Sequence, residues 1–277
     1  MRLAACPDLP PLVELGTAWS GAEVRGFASS GQSAVEQWTR LHAARAETGL
    51  HPILLPPDFL AISEPARSAA EVIAAADQLD GALILADRQA YQDRLLSAAT
   101  ELPAAPGSRS KSPAPTAEAG QSEDDRFGPP ADFEMWEDDY PGPRGRDILR
   151  LANGCEFHDD GTVTPVAYTV MVALIECAEP WHVFAHLGFD NEALRVDEHV
   201  AVLRHLFETY QAVPATLTMT DLELVLGKPP ATDEEAMVAA GLYLAYNDGA
   251  YDNYLSSSQQ NLAGKLKDNS VWSAWWD

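Results

Sequence analysis

Apolar residues recur along this chain in two rhythms, one of period two and one of three to four, and the rhythm switches repeatedly before residue 102 and after residue 143. In the first stretch, Leu12–Leu15 and Glu23–Phe27 read as short strands. Val35, Trp38, Leu41 and Ala44 follow at helical spacing, which predicts a helix over Ser33–Glu47 with Gly49 as its stop. Pro52–Leu55 reads as a short buried strand ended by Pro56 and Pro57. The alanine-rich segments Ser68–Gln78 and Asp87–Thr100 read as helices. Leu83–Leu85 between them fits a strand or a helical turn, and the strand is the preferred reading.

Past residue 143 the pattern is cleaner. Asp159-Asp160-Gly161 signals a turn, and Val166–Ile175 is an apolar run rich in β-branched residues, as expected of a strand covered on both faces. In Trp181–Leu187 the odd and even positions divide as on a strand, which predicts a hairpin with the preceding run across Glu179-Pro180. Asp197 is the expected cap of a helix whose buried stripe is Val200, Leu203, Phe207 and Tyr210. Val213–Thr218 and Leu222–Leu226 read as another strand pair. Thr232 and Glu235 have capping-box spacing ahead of a helix to about Asn247. Ser257 and Gln260 repeat that spacing before a last helix ending near Lys267. The fold class that results is α+β, a mixed α/β chain with a mostly antiparallel sheet flanked by helices.

Composition divides the chain in three. Residues 1–102 form an N-terminal α/β region, 103–143 a linker rich in Pro, Ser and acids, and 144–277 a C-terminal domain. From Glu118 to Asp139 the linker holds nine acidic residues against Arg126 alone, so self-repulsion should keep it extended and largely disordered. Phe133 and Trp136 interrupt it as a short apolar segment suited to folding back or to docking.

The whole chain of 277 residues carries 18 basic and 42 acidic side chains, a net charge of -24. Such a charge opposes binding to nucleic-acid phosphates or to anionic membranes and complements a basic protein partner, although acidic surfaces also serve solubility alone. Cys6, Cys155 and Cys177 are widely spaced without a CxxC pair, which fits unpaired thiols in a reducing cytoplasm. The first residues lack a signal-peptide apolar stretch, and no run is long enough to span a membrane. The expected location is therefore cytoplasmic.

Catalytic patterns are sparse. His182 and His186 stand four apart, but on a strand at about 3.3 Å per residue their imidazoles would lie about 13 Å apart, too far to share an ion without ligands such as Cys177 or Asp190. Cys155 and His158 are too close in sequence to make a convincing nucleophile–base pair. The sequence contains no GxSxG elbow, phosphate-binding GxxxxGK[ST] loop, dinucleotide GxGxxG or HExxH. Asn247-Asp248-Gly249 followed by Asp252 supplies oxygen ligands, yet lacks the acidic ladder of a calcium loop and reads better as a helix-ending turn. Trp272, Trp275 and Trp276 either plug a core or line a pocket. No catalytic residue, metal or cofactor is expected. The binding candidates are Asn191, Asp248, Asp252, His182, His186, Trp272 and Trp276.

Several of these features together resemble a known bacterial family, the domain of unknown function numbered 4253. They are the apolar strand and the Trp-bearing segment after it, Asn191 ahead of a helix with Val202-Leu203-Arg204 and Tyr210, and the strand pair ending in Pro229-Pro230. Asp248 near the end of the next helix and the terminal Trp275-Trp276-Asp277 complete the resemblance, which covers about Val166 to Asp277. It also implies three departures here, at His205-Leu206, Tyr246 and Asp252-Asn253, where the family usually carries a Trp, a Cys and a Gln-Gly pair. If those positions form a ligand site, this chain has altered it.

From the charge and the missing motifs, the expected function is that of a binding or inhibitor protein, such as an immunity protein that neutralises a basic toxin. An enzyme of unrecognised type with a site near Asn191 and Asp248, or a non-catalytic scaffold, stands as the alternative.

Overall fold

The computed structural model describes residues 8–62, 67–101, 149, 151–157, 163–189, 194–247 and 258–276. The expected linker, the Phe133–Glu137 segment, Cys6 and His158 lie outside them. The N-terminal region supplies β1 (Val13–Thr17), β2 (Glu23–Ser30), α1 (Gly31–Ala43), α2 (Arg45–Thr48), β3 (Leu50–Leu55), α3 (Phe59–Ile62), α4 (Ala69–Ala76) and α5 (Gly81–Glu101). Then come β4 (Asn153–Phe157), β5 (Val163–Ala167), β6 (Thr169–Glu176), a 3-10 turn (Pro180–His182) and α6 (Val183–Leu187). The chain continues through α7 (Val196–Tyr210), β7 (Ala212–Leu217), β8 (Asp221–Leu226), α8 (Asp233–Tyr246), α9 (Gln259–Leu266) and β9 (Val271–Trp275).

Among the described residues, seven strands form one sheet in the order β1-β2-β6-β3-β7-β8-β9, while β4 and β5 pair separately. The fold is α+β with a mostly antiparallel sheet, as expected; β3 and β7 run parallel. The sequence leaves open how its two ends meet, and the sheet answers it. Strand β3, from before residue 103, lies between β6 and β7, both from after residue 143.

Both faces of the sheet centre are covered, which is why β3 and β6 read as nearly unbroken apolar runs. Side chains alternate along them: Ile53, Leu55, Ala173 and Ile175 enter the larger core beneath α4 to α9, whereas Leu54, Val172 and Leu174 enter a smaller core with Trp38 and Leu41 of α1. Proline in a central strand removes a ladder donor. Here Pro52 pairs with Leu174 of β6, its carbonyl accepts the Trp38 indole N–H at 2.9 Å, and the next seam is helped by a side chain. Nε2–H of His51 donates to the Pro214 carbonyl of β7 at 2.8 Å.

Local capping follows the sequence closely. Gly49 ends α2 with φ 71, a left-handed value suited to glycine. Ser68 with Glu71 and Thr232 with Glu235 form reciprocal capping boxes on α4 and α8. The last helix starts one residue later than expected, with Ser258 accepting from the Asn261 amide. Arg195, not Asp197, occupies the cap of α7; Asp197 sits in the first turn, ion-paired with Arg195 at 3.1 Å and Arg67 at 3.7 Å.

Three expected elements differ. Leu83–Leu85 is not a strand but the start of the 21-residue helix α5, whose first amides, of Ala82 and Leu83, donate to the Asp80 carboxylate at 2.9 and 3.3 Å. Val166–Ile175 is divided at Tyr168, so that Val163–Ala167 pairs with β4 and only Thr169–Glu176 joins the main sheet. Trp181–Leu187 is helical, beginning with Pro180 at the first position of its turn and stopped by Gly188 at φ 72. The expected hairpin across Glu179-Pro180 does not form, because β6 already has β2 and β3 on its two edges. Val183, Phe184, Ala185 and Leu187 are all buried, so tertiary packing outweighs the strand-like alternation.

Candidate functional site

The helical form of Pro180–Leu187 changes the meaning of the histidine pair. His182 and His186 belong to consecutive helical turns, not to a strand with about 13 Å between imidazoles. Burial lowers the pKa of both, and the charge of His182 lowers that of His186 further. Their suggested helper Cys177 is a buried free thiol, pushed up to about 12 by burial. It borders a cavity of about 380 Å³ with Arg45, Gly49 and Glu176. Among the described residues, no three His, Cys, Asp or Glu side chains group as a metal site.

The two candidate tryptophans share the larger core but meet different rings. Strand β9 sits at the edge of the sheet against β8, and Trp272 and Trp276 are both buried. Trp272 packs against Tyr210 and Tyr243 with ring centroids 4.9 and 5.2 Å away. Trp276 meets Phe189, Tyr246 and His199 at 5.3, 5.2 and 5.7 Å.

His199 is the centre of the group around Trp276 and is not among the residues the sequence singles out. Its imidazole is ringed by Phe184, Phe189, Tyr246 and Trp276, and Nδ1 lies 3.0 Å from the Tyr246 hydroxyl. Complete burial pulls its pKa down to about 3 and pushes that of Tyr246 up, so both are neutral at physiological pH. Nε2 of His199, Nε1 of Trp276 and both side-chain heteroatoms of Asn247 are buried and have no hydrogen-bond partner among the described residues. A signal was present: His199 stands three residues after Val196 and four before Leu203, on the buried side of α7.

Asn191, Asp248 and Asp252 lie outside the described residues. The segments that carry them nevertheless leave the described chain at Phe189 and Asn247. Phe189 and Tyr246, the neighbour of Asn247, both touch Trp276. The structure thus joins Trp276 to the stems of these segments, whereas the ring contacts of His182 are with Trp181.

Chemically, the cluster offers hydrogen-bonding atoms inside an aromatic box rather than a charged acid–base pair. His51 follows the same rule, since burial lowers its pKa to about 3. Because its Nε2–H donates to a carbonyl, Nδ1 is a bare acceptor, and it has no partner among the described residues.

No helix among the described residues is long and apolar enough to cross a membrane. No curated protein and no solved structure matches the chain. Residues 171–277, from within β6 through the C-terminal tryptophans, match the family model described as Domain of unknown function (DUF4253).

Proposed function

We propose that the chain is a binding protein that engages a basic protein partner through its acidic surface, as an immunity protein engages a basic toxin. The supporting observation is where its charges sit. Arg25, Arg40, Arg45, Arg67, Arg195 and Arg204 are each ion-paired with a carboxylate of the same chain. Glu36, Glu47, Asp58, Asp87, Glu208 and Glu234 are exposed, and no ion pair is formed by them among the described residues. The excess negative charge therefore faces outward, where it accelerates association with a cationic surface. The buried histidines and the buried thiol are neutral, with pKa values far from those suited to acid–base or nucleophilic work.

The test is capture from the organism of origin at low and high salt. A protein rich in Lys and Arg should be retained at low salt and released at high salt, should harm cells when expressed alone, and should be neutralised by this chain. Capture of acidic or neutral proteins only, or of a harmless basic one, would reject the immunity reading.

An enzyme with its site beside the His199 cluster is the second reading, and the atoms of His199, Asn247 and Trp276 that have no partner among the described residues favour it. It predicts that Asn191→Ala and Asp248→Ala abolish the cellular phenotype of a deletion strain's complementation while the protein stays folded. Full complementation by both variants would eliminate this reading.

A further inference from the structure

Beside the end of α7 lies a groove of about 320 Å³, walled by Tyr210, Pro229, Pro230 and Val238 and rimmed by Lys228, Glu234 and Glu235. Val238 is 58% exposed and Met237 next to it 38% exposed, so apolar surface continues past the opening. Tyr210 is only 7% exposed, yet its hydroxyl makes no hydrogen bond among the described residues. Its ring is held from behind by Trp272 at 4.9 Å. Burial and the nearby Glu235 carboxylate raise its pKa, so the hydroxyl stays protonated and keeps its lone pairs as acceptors.

The rim charges are unequally occupied. Glu235 accepts the amides of Ala231 and Thr232 at 2.9 and 3.1 Å, and Lys228 acts on it electrostatically. Its neighbour Asp233 is paired with Lys267 at 2.7 Å. Glu234 has neither hydrogen bond nor ion pair among the described residues. The groove therefore presents an apolar channel, the acceptor hydroxyl of Tyr210 and one unengaged carboxylate. That combination matches a long cationic side chain, whose methylene stem lies on apolar surface while its head seeks oxygen atoms.

We propose that this groove receives a lysine or arginine side chain of the basic protein partner, with the stem against Pro229, Pro230 and Val238 and the head shared by Tyr210 and Glu234. This assignment rests on the reading of the chain as a binder of basic proteins and gives that reading a location. Trp272 acquires a second role in it, as the support that fixes the Tyr210 ring.

The test is a nuclear magnetic resonance titration of the isotopically labelled full chain with a short acetylated peptide of alternating Leu and Lys, and with its Leu and Glu counterpart. The basic peptide should shift amides around Tyr210, Lys228 and Val238, and the acidic peptide should not. Glu234→Lys should weaken binding about tenfold and Tyr210→Phe about threefold. Glu36→Lys, an equal charge reversal on α1 beyond the opposite face of the sheet, should leave affinity within about twofold. Shifts centred elsewhere, or equal losses from Glu36→Lys and Glu234→Lys, would overturn the groove assignment and leave the broader binding reading standing. No binding of the basic peptide even at low salt would overturn the groove and also remove the electrostatic basis of that reading.

Discussion

Nδ1 of His199 lies 3.0 Å from the hydroxyl of Tyr246, a bond that ties the first turn of α7 to the last residue of α8. Both side chains are fully buried, so neither can exchange this partner for bulk water. Replacing the hydroxyl strands the imidazole nitrogen in an apolar box. Tyr246→Phe should destabilise the protein by about 1–3 kcal/mol in urea unfolding. A loss of only a few tenths would mean that the bond contributes little beyond ring packing.

The two buried histidines also set the acid limit of the fold. Their pKa values are about 3 when folded, against an ordinary value of 6.5. Below pH 6.5 the unfolded chain takes up protons that the folded one refuses, so stability is full above that pH and declines as pH falls towards 3. The slope should approach about 1.4 kcal/mol per pH unit for each histidine. Denaturant melts between these limits would check it, and His199→Phe should remove about half of the slope attributable to the pair.

Gly81 begins α5 where it crosses α7 at close range. A Cβ there would fall 2.3 Å from the Ala201 carbonyl oxygen, a backbone atom that cannot swing aside. Gly81→Ala should therefore force the helices apart and cost about 1–3 kcal/mol, despite alanine's better helix propensity. Thermal unfolding measures it; an unchanged or raised Tm would show that α5 shifts freely.

Strand β9 completes the sheet edge and carries Trp272, which has no exposed surface. Trp272→Ala should cost about 3–5 kcal/mol. Ending the chain after Ser270 should abolish the cooperative thermal transition. If the shortened chain kept that transition and lost only peptide binding, the tail would serve the groove and not the core.

How much of this was legible in the sequence depended on range. The Thr232 and Glu235 capping box, the Gly49 stop and the β7–β8 pair were readable because the interacting groups are close along the chain. Trp181–Leu187 reads as a strand because a short apolar segment satisfies two periods at once, and packing against α7 selects the helical one. Among the candidate residues, Trp276 was joined to the His199 cluster, while Trp272 proved to back the Tyr210 groove. His199 is not legible as a site because its position on the stripe of α7 shows burial but not what surrounds it.

Periodicity, capping and charge are properties of neighbouring residues, and they specify most of the longer helices, most strands, the α+β class and the acidic character. The pairing of β3 with β6 and β7, the aromatic box around His199 and the groove at Tyr210 each join residues far apart in sequence. Such contacts form only when the burial of apolar surface outweighs the entropy of bringing distant segments together, a balance struck by the whole chain rather than by any segment of it.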